Sequence, residues 1–322
     1  MAGENPPMIA LNPNGSYTRN ISFPSSLPTP DKDSDTPVLS KDVVINNINK
    51  TSVRIHIPKE TAISMETPLK NLPLIVYFHG GGFVLMSAAS TIVHDFCDHL
   101  AAELPAVVVS VDYRLAPENR LPAAYDDALE VLLWIKSSQD PWLINYADVS
   151  SCYMMGTSAG ANIAYHAGVR VSQRLHELES LKIKGLILHH VYFGGEERTL
   201  SEIQLAEAGQ LTLATCDFMW GLSLPVDAIS REHEYCNPMA GGGLDDISRI
   251  KEVGWRVMVT GCSGDLLIDR QREFAKTLEL KGVENTCLFE EGGDHGIEYF
   301  DKSKAKDLFK WISSVMSTNE TK

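Results

Sequence analysis

From Ser40 onward the chain alternates short apolar runs with longer stretches of helical periodicity. The apolar runs are four to seven residues long and rich in Val and Ile, which is typical of strands in a mostly parallel sheet. Helical stretches between such strands indicate crossovers, so the pattern predicts an α/β fold. The predicted strands are 53–57, 72–78, 106–111, 152–155, 185–188, 256–260 and 285–289, and the predicted helices are 91–104, 122–137, 160–175, 269–281 and 302–316.

Two segments depart from this alternation. Residues 1–40 are rich in Pro, Ser, Asn and Asp, which predicts a loosely structured arm with room for one short helix. Residues 196–253 predict helices and loops without a strand. Their apolar cluster is either a buried helix face or the roof of a pocket, and one helix can serve as both. We expect one domain, 1–322, with an arm at 1–40 and a cap insertion at 196–253, whose apolar cluster is Phe218, Met219, Trp220, Leu222 and Leu224.

The composition is that of a soluble globular protein, with 322 residues, 44% hydrophobic and 22% charged. A net charge of −14 argues against nucleic acid or an anionic membrane as a partner. No apolar run approaches the roughly 18 residues of a membrane span, and residues 1–17 do not resemble a secretory signal. The six cysteines lack the spacing of a zinc site or a disulfide framework, so we expect a cytoplasmic protein with reduced thiols and no metal.

The segment 156–160 has the sequence GTSAG and joins the predicted strand 152–155 to the predicted helix 160–175. In that context GxSxG is typical of a nucleophile elbow, a turn so tight that only small residues fit on either side of the serine. Gly156 and Gly160 meet this requirement, and Ser158 is the predicted nucleophile. Because the motif also occurs by chance in unrelated proteins, the prediction depends on its partners.

A glycine run at 79–83, with the sequence HGGGF, directly follows the predicted strand 72–78. Consecutive glycines let backbone N–H groups approach a substrate carbonyl without interference from side chains. We therefore predict an oxyanion hole formed by the N–H groups of Gly81, Gly82 and Ala159. His79 is interpreted as a residue that braces the loop.

A nucleophilic serine needs a base and an acid that orients the base, and in folds with this elbow the acid and then the histidine follow the serine. His295 lies in a glycine-rich loop after the last predicted strand and is the predicted base. His189 and His190 end a strand and are interpreted as structural. Asp265 follows the strand 256–260 and is the predicted acid. Its rival Asp269 stands at a predicted helix start, where capping or ion pairing is more ordinary.

Taken together, these motifs resemble those of plant carboxylesterases of the hormone-sensitive-lipase-like group in the α/β-hydrolase superfamily. The resemblance spans nearly the whole chain and rests on HGGGF at 79–83, DYRLAPE at 112–118, LPAAYDD at 121–127, GTSAG at 156–160, the segment 265–270 and the His295 loop. It implies an eight-stranded sheet with a helical cap, built from the arm and an insertion after the sixth strand. It also implies a Ser158, Asp265 and His295 triad that hydrolyses a small-molecule carboxylic ester without a cofactor.

Relatives of this group also include dehydratases, cyclising enzymes and a hormone receptor that has lost its histidine. The intact Ser158, Asp265 and His295 disfavour a receptor, because a binding module has no need of a base. They leave open a lyase, cyclase or demethylating esterase of plant specialised metabolism.

Three positions depart from the family pattern. Thr157 replaces the acidic residue usual before the serine, Val191 replaces a proline, and Asp294 occupies a position usually aromatic or apolar. A carboxylate beside His295 favours the charged form of the ring, so reduced or redirected activity is one expectation. The predicted substrate contacts are Phe83, Thr157, Val191, Phe218, Met219 and Trp220.

Overall fold

Ten strands are present in the computed structural model, which describes residues 8–63 and 71–317. β1 and β2 form an antiparallel hairpin, and the other eight form one sheet in the order β10-β9-β8-β7-β5-β6-β4-β3. The strands are β1 (Ile9–Leu11), β2 (Tyr17–Arg19), β3 (Val38–Asn46), β4 (Thr51–Pro58), β5 (Leu72–Phe78), β6 (Val107–Asp112), β7 (Ala147–Thr157), β8 (Ile183–His189), β9 (Arg256–Cys262) and β10 (Asn285–Glu290).

The eight-stranded, mostly parallel sheet confirms the predicted fold class. Within this eight-stranded sheet, the β3–β4 and β4–β6 pairs are antiparallel and the other five pairs are parallel. The central strands read as almost continuous apolar runs because helices cover both faces. In β9, for example, all seven residues are buried.

Helices form a layer on each face of the sheet. α2 and α10 pack on one face, and α3, α5, α8 and α9 pack on the other. Two further short turns are 3-10 helices, at Leu175–Leu178 and Ile297–Tyr299. The helices are α1 (Lys59–Ile63), α2 (Thr91–Glu103), α3 (Ala123–Ser137), α4 (Pro141–Tyr146), α5 (Ala159–Ser172), α6 (Leu200–Gln204), α7 (Leu213–Ser223), α8 (Gly243–Glu252), α9 (Ile268–Leu280) and α10 (Lys302–Ser317).

The predicted arm and insertion differ from expectation in detail. In residues 8–40 the arm contains the β1–β2 hairpin and the start of β3, so the short helix expected there is wrong for these residues. Residues 1–7 of the predicted arm lie outside the described residues. The insertion 196–253 contains α6, α7 and α8 and no strand, as expected. However, α8 packs against α5 and therefore belongs to the helical layer on the sheet.

The parallel strands β5, β7, β8, β9 and β10 all end at the same edge of the sheet. Loops that follow such strands meet at this edge, where α/β proteins usually bind their ligands. The predicted elbow, glycine run, acid and base each follow one of these strands. Among the described residues, no helix combines the length and the apolar character needed to cross a membrane.

Candidate active site

The sharp turn between β7 and α5 presents Ser158 at the sheet edge. The backbone of Ser158 has φ 58° and ψ −120°, a conformation sparsely populated by residues with a side chain. A Cβ on Gly156 would lie 2.1 Å from the carbonyl carbon of Gly160, and a Cβ on Gly160 would lie 1.9 Å from Phe78 O. Both positions therefore require glycine, for the steric reason inferred from the sequence.

The loop after β10 brings His295 between the serine and a carboxylate. His295 Nε2 lies 2.8 Å from Ser158 Oγ, and His295 Nδ1 lies 2.8 Å from Asp265 Oδ2. With Nδ1 donating to the carboxylate, Nε2 is left as the acceptor for the serine hydroxyl proton. The structure thus brings together the three residues predicted from separate parts of the sequence.

Asp265 is fully surrounded by hydrogen-bond donors. Its Oδ1 accepts from Leu267 N at 2.9 Å, and its Oδ2 accepts from Gln271 Nε2 at 3.0 Å as well as from His295. Burial alone would raise the pKa of Asp265, but the nearby histidines outweigh it and hold that pKa well below its usual range. The rival Asp269 instead accepts from Ser201 N, in the first turn of α6, at 2.8 Å.

A second histidine also contacts Asp265, which the sequence analysis did not foresee. His190, directly after β8, places Nδ1 3.0 Å from Asp265 Oδ2. Its Nε2 lies 3.5 Å from Oε2 of Glu298, and His189 Nε2 lies 3.0 Å from the same oxygen. Both were interpreted as structural because they end a strand, and no sequence signal indicates that Glu298 lies beside them.

Two of the predicted oxyanion donors, Gly81 and Gly82, line the same cavity as Ser158, and the third, Ala159, directly follows the serine. Within the described chain, the N–H groups of Gly81, Gly82 and Ala159 donate to no protein acceptor. Gly81 has φ +99° and Gly82 φ +61°, so both use the left-handed region that glycine adopts without strain. His79 braces the run as expected, because its ring stacks on Tyr113 and Tyr113 Oη donates to His79 O at 2.8 Å.

Thr157 joins a chain of neutral hydroxyl groups beside the glycine run. Its Oγ1 lies 2.9 Å from Tyr77 Oη, which lies 2.7 Å from Tyr299 Oη. Tyr299 Oη in turn accepts from Gly80 N at 3.2 Å. Burial raises the pKa of Tyr299 to about 12, so the chain is uncharged at neutral pH. The acidic residue of the family pattern is therefore replaced by a hydrogen-bond network that supports the loop.

The other two departures are accommodated differently. Val191 is completely buried in the main core. Asp294 turns its carboxylate toward backbone donors, accepting from Gln210 N at 3.1 Å and from His295 N at 2.8 Å. Asp294 therefore links the His295 loop to the segment before α7.

A cavity of about 220 Å³ opens onto Ser158 and His295. Residues of the arm, the glycine run, α7 and the His295 loop enclose it, and His295 is the only ionisable acid–base side chain among its described lining besides tyrosines. The lining comprises Met8, Ile21, Phe23, Gly80, Gly81, Gly82, Leu85, Met86, Thr157, Ser158, Tyr192, Gln210, Leu211, Thr215, Met219, His295, Gly296, Tyr299 and Phe300.

Of the six predicted substrate contacts, Thr157 and Met219 line this cavity, whereas Phe83, Val191, Phe218 and Trp220 do not. On α7, Thr215 and Met219 share one face because they are four residues apart, which directs Phe218 away to a partly exposed position. Trp220 stacks on Tyr192 with ring centres 4.7 Å apart. Phe83 and Val191 are buried in the core. Helical spacing from Met219 would have identified Thr215.

In the part of the chain that the structure describes, three clusters of histidines and carboxylates lie close enough for their ligand atoms to share a cation. Two of them, His189–His190–Glu298 and His190–Asp265–His295, belong to the network described above. The third is His56, His94 and Asp98, where His56 Nδ1 lies 2.7 Å from Asp98 Oδ1. Hydrogen bonds within each cluster already engage the atoms that would bind a metal.

A family model described as the alpha/beta hydrolase fold matches residues 75–299, the segment that holds the glycine run, the elbow and the His295 loop. The chain belongs to the α/β-hydrolase family. This hydrolase is similar to Carboxylesterase 20 of Arabidopsis thaliana, with 46% identity over 96% of this chain and 94% of that protein. It is also similar to a 3-O-acetylpapaveroxine carboxylesterase of Papaver somniferum, with 47% identity over 81% of this chain and 85% of that protein. The predicted resemblance to plant carboxylesterases is confirmed.

Among solved structures, the α/β-hydrolase chain resembles a hyperthermophilic esterase of the archaeon Pyrobaculum calidifontis. The TM-score is 0.71 with 24% identity, over 88% of this chain and 86% of that chain. At this identity the likeness bears on the fold alone.

Proposed function

We propose that this protein is a serine carboxylesterase that hydrolyses an uncharged small-molecule ester through Ser158, His295 and Asp265. The observation that carries the proposal is the pair of 2.8 Å contacts from His295, one to Ser158 Oγ and one to Asp265 Oδ2. The family and its carboxylesterase relatives agree with this chemistry. No step requires a cofactor or metal.

In this mechanism Ser158 Oγ attacks the ester carbonyl while His295 Nε2 takes its proton. The oxyanion that forms accepts hydrogen bonds from the N–H groups of Gly81, Gly82 and Ala159, which are unpaired in the described chain. His295 then protonates the leaving alcohol, which leaves the acyl group bonded to Ser158 Oγ. A water molecule gives a proton to His295 and attacks the acyl carbon, and His295 returns the proton to Ser158 Oγ as the acid is released. Asp265 stabilises the imidazolium in both steps.

The arm and α7 act as the cap in this proposal. Met8, Ile21 and Phe23 of the arm and Met219 of α7 line the cavity beside the serine. Because the described lining offers apolar surface and no carboxylate or ammonium group, an uncharged ester is the fitting substrate class. The poppy relative is named for an acetylated alkaloid ester. An ester of plant specialised metabolism is therefore the proposed substrate.

We place the enzyme in the cytoplasm. All six cysteines are free thiols in the structure, and five of them are buried. This pattern favours a reducing compartment. Its partner there is the small-molecule substrate.

The test is labelling with a fluorophosphonate, followed by peptide mapping. We expect one adduct on Ser158, and its loss in both Ser158→Ala and His295→Ala. Hydrolysis of p-nitrophenyl acetate should fall by at least about 10³-fold in either variant, because the residual rate then depends on the oxyanion donors alone. Ser314→Ala, an exposed serine of α10, is the matched control and should label and react normally.

Hydrolysis in ¹⁸O-labelled water separates this chemistry from elimination or cyclisation. Only hydrolysis introduces one solvent oxygen into the acid product. An unlabelled Ser158, or a product without solvent oxygen, would contradict the proposal.

A further inference from the structure

The acid of the proposed triad is shared by two imidazoles. Asp265 Oδ2 lies 2.8 Å from His295 Nδ1 and 3.0 Å from His190 Nδ1. His190 is 1% exposed, and the far side of its ring meets Glu298, whose side chain is 5% exposed. Asp265, His190 and Glu298 therefore form a buried carboxylate–imidazole–carboxylate row, which adjoins the His295–Asp265 contact that the proposed mechanism uses.

The charges in this row are set by its neighbours. The titratable groups facing His190 are Asp265, Glu298, His189 and His295. Burial opposes the charged form, but hydrogen bonds and the charges of Asp265 and Glu298 outweigh it and raise the pKa of His190 to about 9. Burial lowers the pKa of His189, whose Nδ1 lies 2.6 Å from Thr260 Oγ1. The cation of the row is therefore His190.

The backbone holds His190 in an unusual conformation. Its φ is 47°, in the left-handed region, which costs a residue with a side chain about 1 kcal/mol or more. Its N–H donates to Thr260 O at 2.9 Å, so the main chain is fixed between β8 and β9. This conformation directs the ring to Asp265 Oδ2, the oxygen that His295 also contacts.

We propose that His190, oriented by Glu298, is a positioning residue for the hydrolysis: its imidazolium fixes the Asp265 carboxylate and offsets part of its negative charge, which keeps His295 available as a neutral base. The inference rests on the proposed function. A buried carboxylate with no other counter-charge would favour the protonated form of His295 more strongly and weaken it as a base at neutral pH.

The decisive variant is His190→Asn. Asparagine tolerates a positive φ and offers an N–H near the position of Nδ1, so it keeps the hydrogen bond and removes the charge. We expect the acid limb of the pH profile of kcat/KM for p-nitrophenyl butyrate to move up by about one pH unit. At pH values below this limb, kcat/KM should then be about 10-fold lower than in the native enzyme. In the pH range where kcat/KM is constant, the loss should be much smaller.

For Glu298→Gln we do not expect the upward shift predicted for His190→Asn. This variant removes a negative charge from the row, so the acid limb of kcat/KM should stay in place or move to lower pH. His176→Asn, an exposed histidine on a 3-10 turn, should leave the profile unchanged. An unchanged acid limb in His190→Asn, or an upward shift in Glu298→Gln, would overturn the proposal, since a purely structural role lowers the plateau without moving the limb.

Nuclear magnetic resonance of ¹⁵N-histidine-labelled protein gives a readout that needs no activity. At pH 7.5 the native His190 should carry protons on both ring nitrogens, and the His295 ring should titrate at higher pH in His190→Asn. A neutral His190 would contradict the inference even if His190→Asn does not fold. Because these ring titrations do not depend on turnover, a failure of the esterase proposal is distinguishable from a failure of this one.

Discussion

At the scale of single residues, backbone strain concentrates around the serine. Six non-glycine residues of the described chain have positive φ, and four of them lie in the loops at the carboxyl edge of the sheet: Phe83, Met86, Ser158 and His190. Such conformations persist only where the surrounding structure fixes them. Here each of these residues lies in a loop that directly follows a buried strand, and the strand supplies that constraint. The side chains of Ser158 and His190 are therefore oriented before any substrate binds.

A substitution at Gly82 tests how closely the proposed oxyanion hole packs against α7. A Cβ at this position would lie 1.9 Å from Met219 Sδ, on a backbone with φ +61°. Gly82→Ala should therefore displace the loop and lower kcat for p-nitrophenyl acetate about 100-fold, the typical loss of one oxyanion donor. Steady-state kinetics measure the loss, and circular dichroism checks that the fold is kept.

Gly241→Ala is the matched control for Gly82→Ala. Gly241 also has a positive φ, +54°, but an added Cβ there meets nothing within 4 Å. Gly241→Ala should therefore introduce similar backbone strain and leave kcat unchanged. Equal kcat in Gly82→Ala and the native enzyme would show that the added methyl group does not displace the loop, and the close fit argued for Gly82 would be wrong.

The sequence could predict Ser158, Asp265 and His295 because each follows an apolar strand, and chain order constrains their roles. It could not predict His190 or Glu298 as partners of Asp265. Their contacts join side chains from neighbouring loops. The position of a residue after a strand does not indicate which side chain of the next loop it will contact.

At the scale of elements, apolar runs predict the buried strands and the edge strand β10 well, but they miss the edge strand β3. β5 is a near-continuous apolar run and was predicted with its correct bounds. β3 lies at the sheet edge and alternates partly buried with exposed residues from Lys41, so its polar positions concealed it. β1 and β2 have three residues each, too few for a pattern to emerge.

Arg19 ties the arm to the loops beside the pocket. Arg19 Nε donates to Val84 O at 2.7 Å, Arg19 Nη2 donates to Ala116 O at 2.8 Å, and the guanidinium pairs with Glu118 at 2.7 Å. Arg19→Ala should loosen the arm residues that line the cavity. We expect KM for p-nitrophenyl butyrate to rise about fivefold, equivalent to about 1 kcal/mol, with kcat nearly unchanged.

Arg174→Ala controls for the loss of an arginine. Arg174 also forms an ion pair with a glutamate, Glu177 at 2.6 Å, but it lies on the 3-10 turn beyond α5 and does not line the cavity. Its KM should match the native value. If Arg19→Ala left KM unchanged as well, the arm would not contribute to binding.

At the scale of the whole molecule, an uncharged cavity lies within a strongly acidic protein. The net charge is −14, whereas the described cavity lining presents His295 and neutral groups. The negative electrostatic potential of the protein does not oppose the entry of a neutral ester. The carboxylate product, however, carries a negative charge, as the protein does. The overall charge therefore favours release of the acid after each turnover.

Buried histidines make the stability of the fold depend on pH in both directions. Burial lowers the pKa of His166 to about 3, so below pH 6.5 the unfolded chain takes up a proton that the folded chain excludes, and stability falls. His190 acts oppositely: its pKa is raised to about 9, so its stabilisation is complete below pH 6.5 and is lost as the pH rises toward 9. Urea unfolding should show a maximum near pH 6.5, with a loss from His190 of about 2 kcal/mol by pH 8.

Two variants separate these contributions within pH 5 to 8, below the range in which unfolded cysteines ionise. His190→Asn should flatten the decline above pH 6.5 and leave the acid side intact, because it removes the one histidine whose pKa rises on folding. His166→Phe keeps a ring stacked on Tyr125, 5.0 Å away, and should reduce the decline below pH 6.5. If the alkaline decline persisted in His190→Asn, then His190 would be neutral in the folded protein, and the charge that the positioning role requires would be absent.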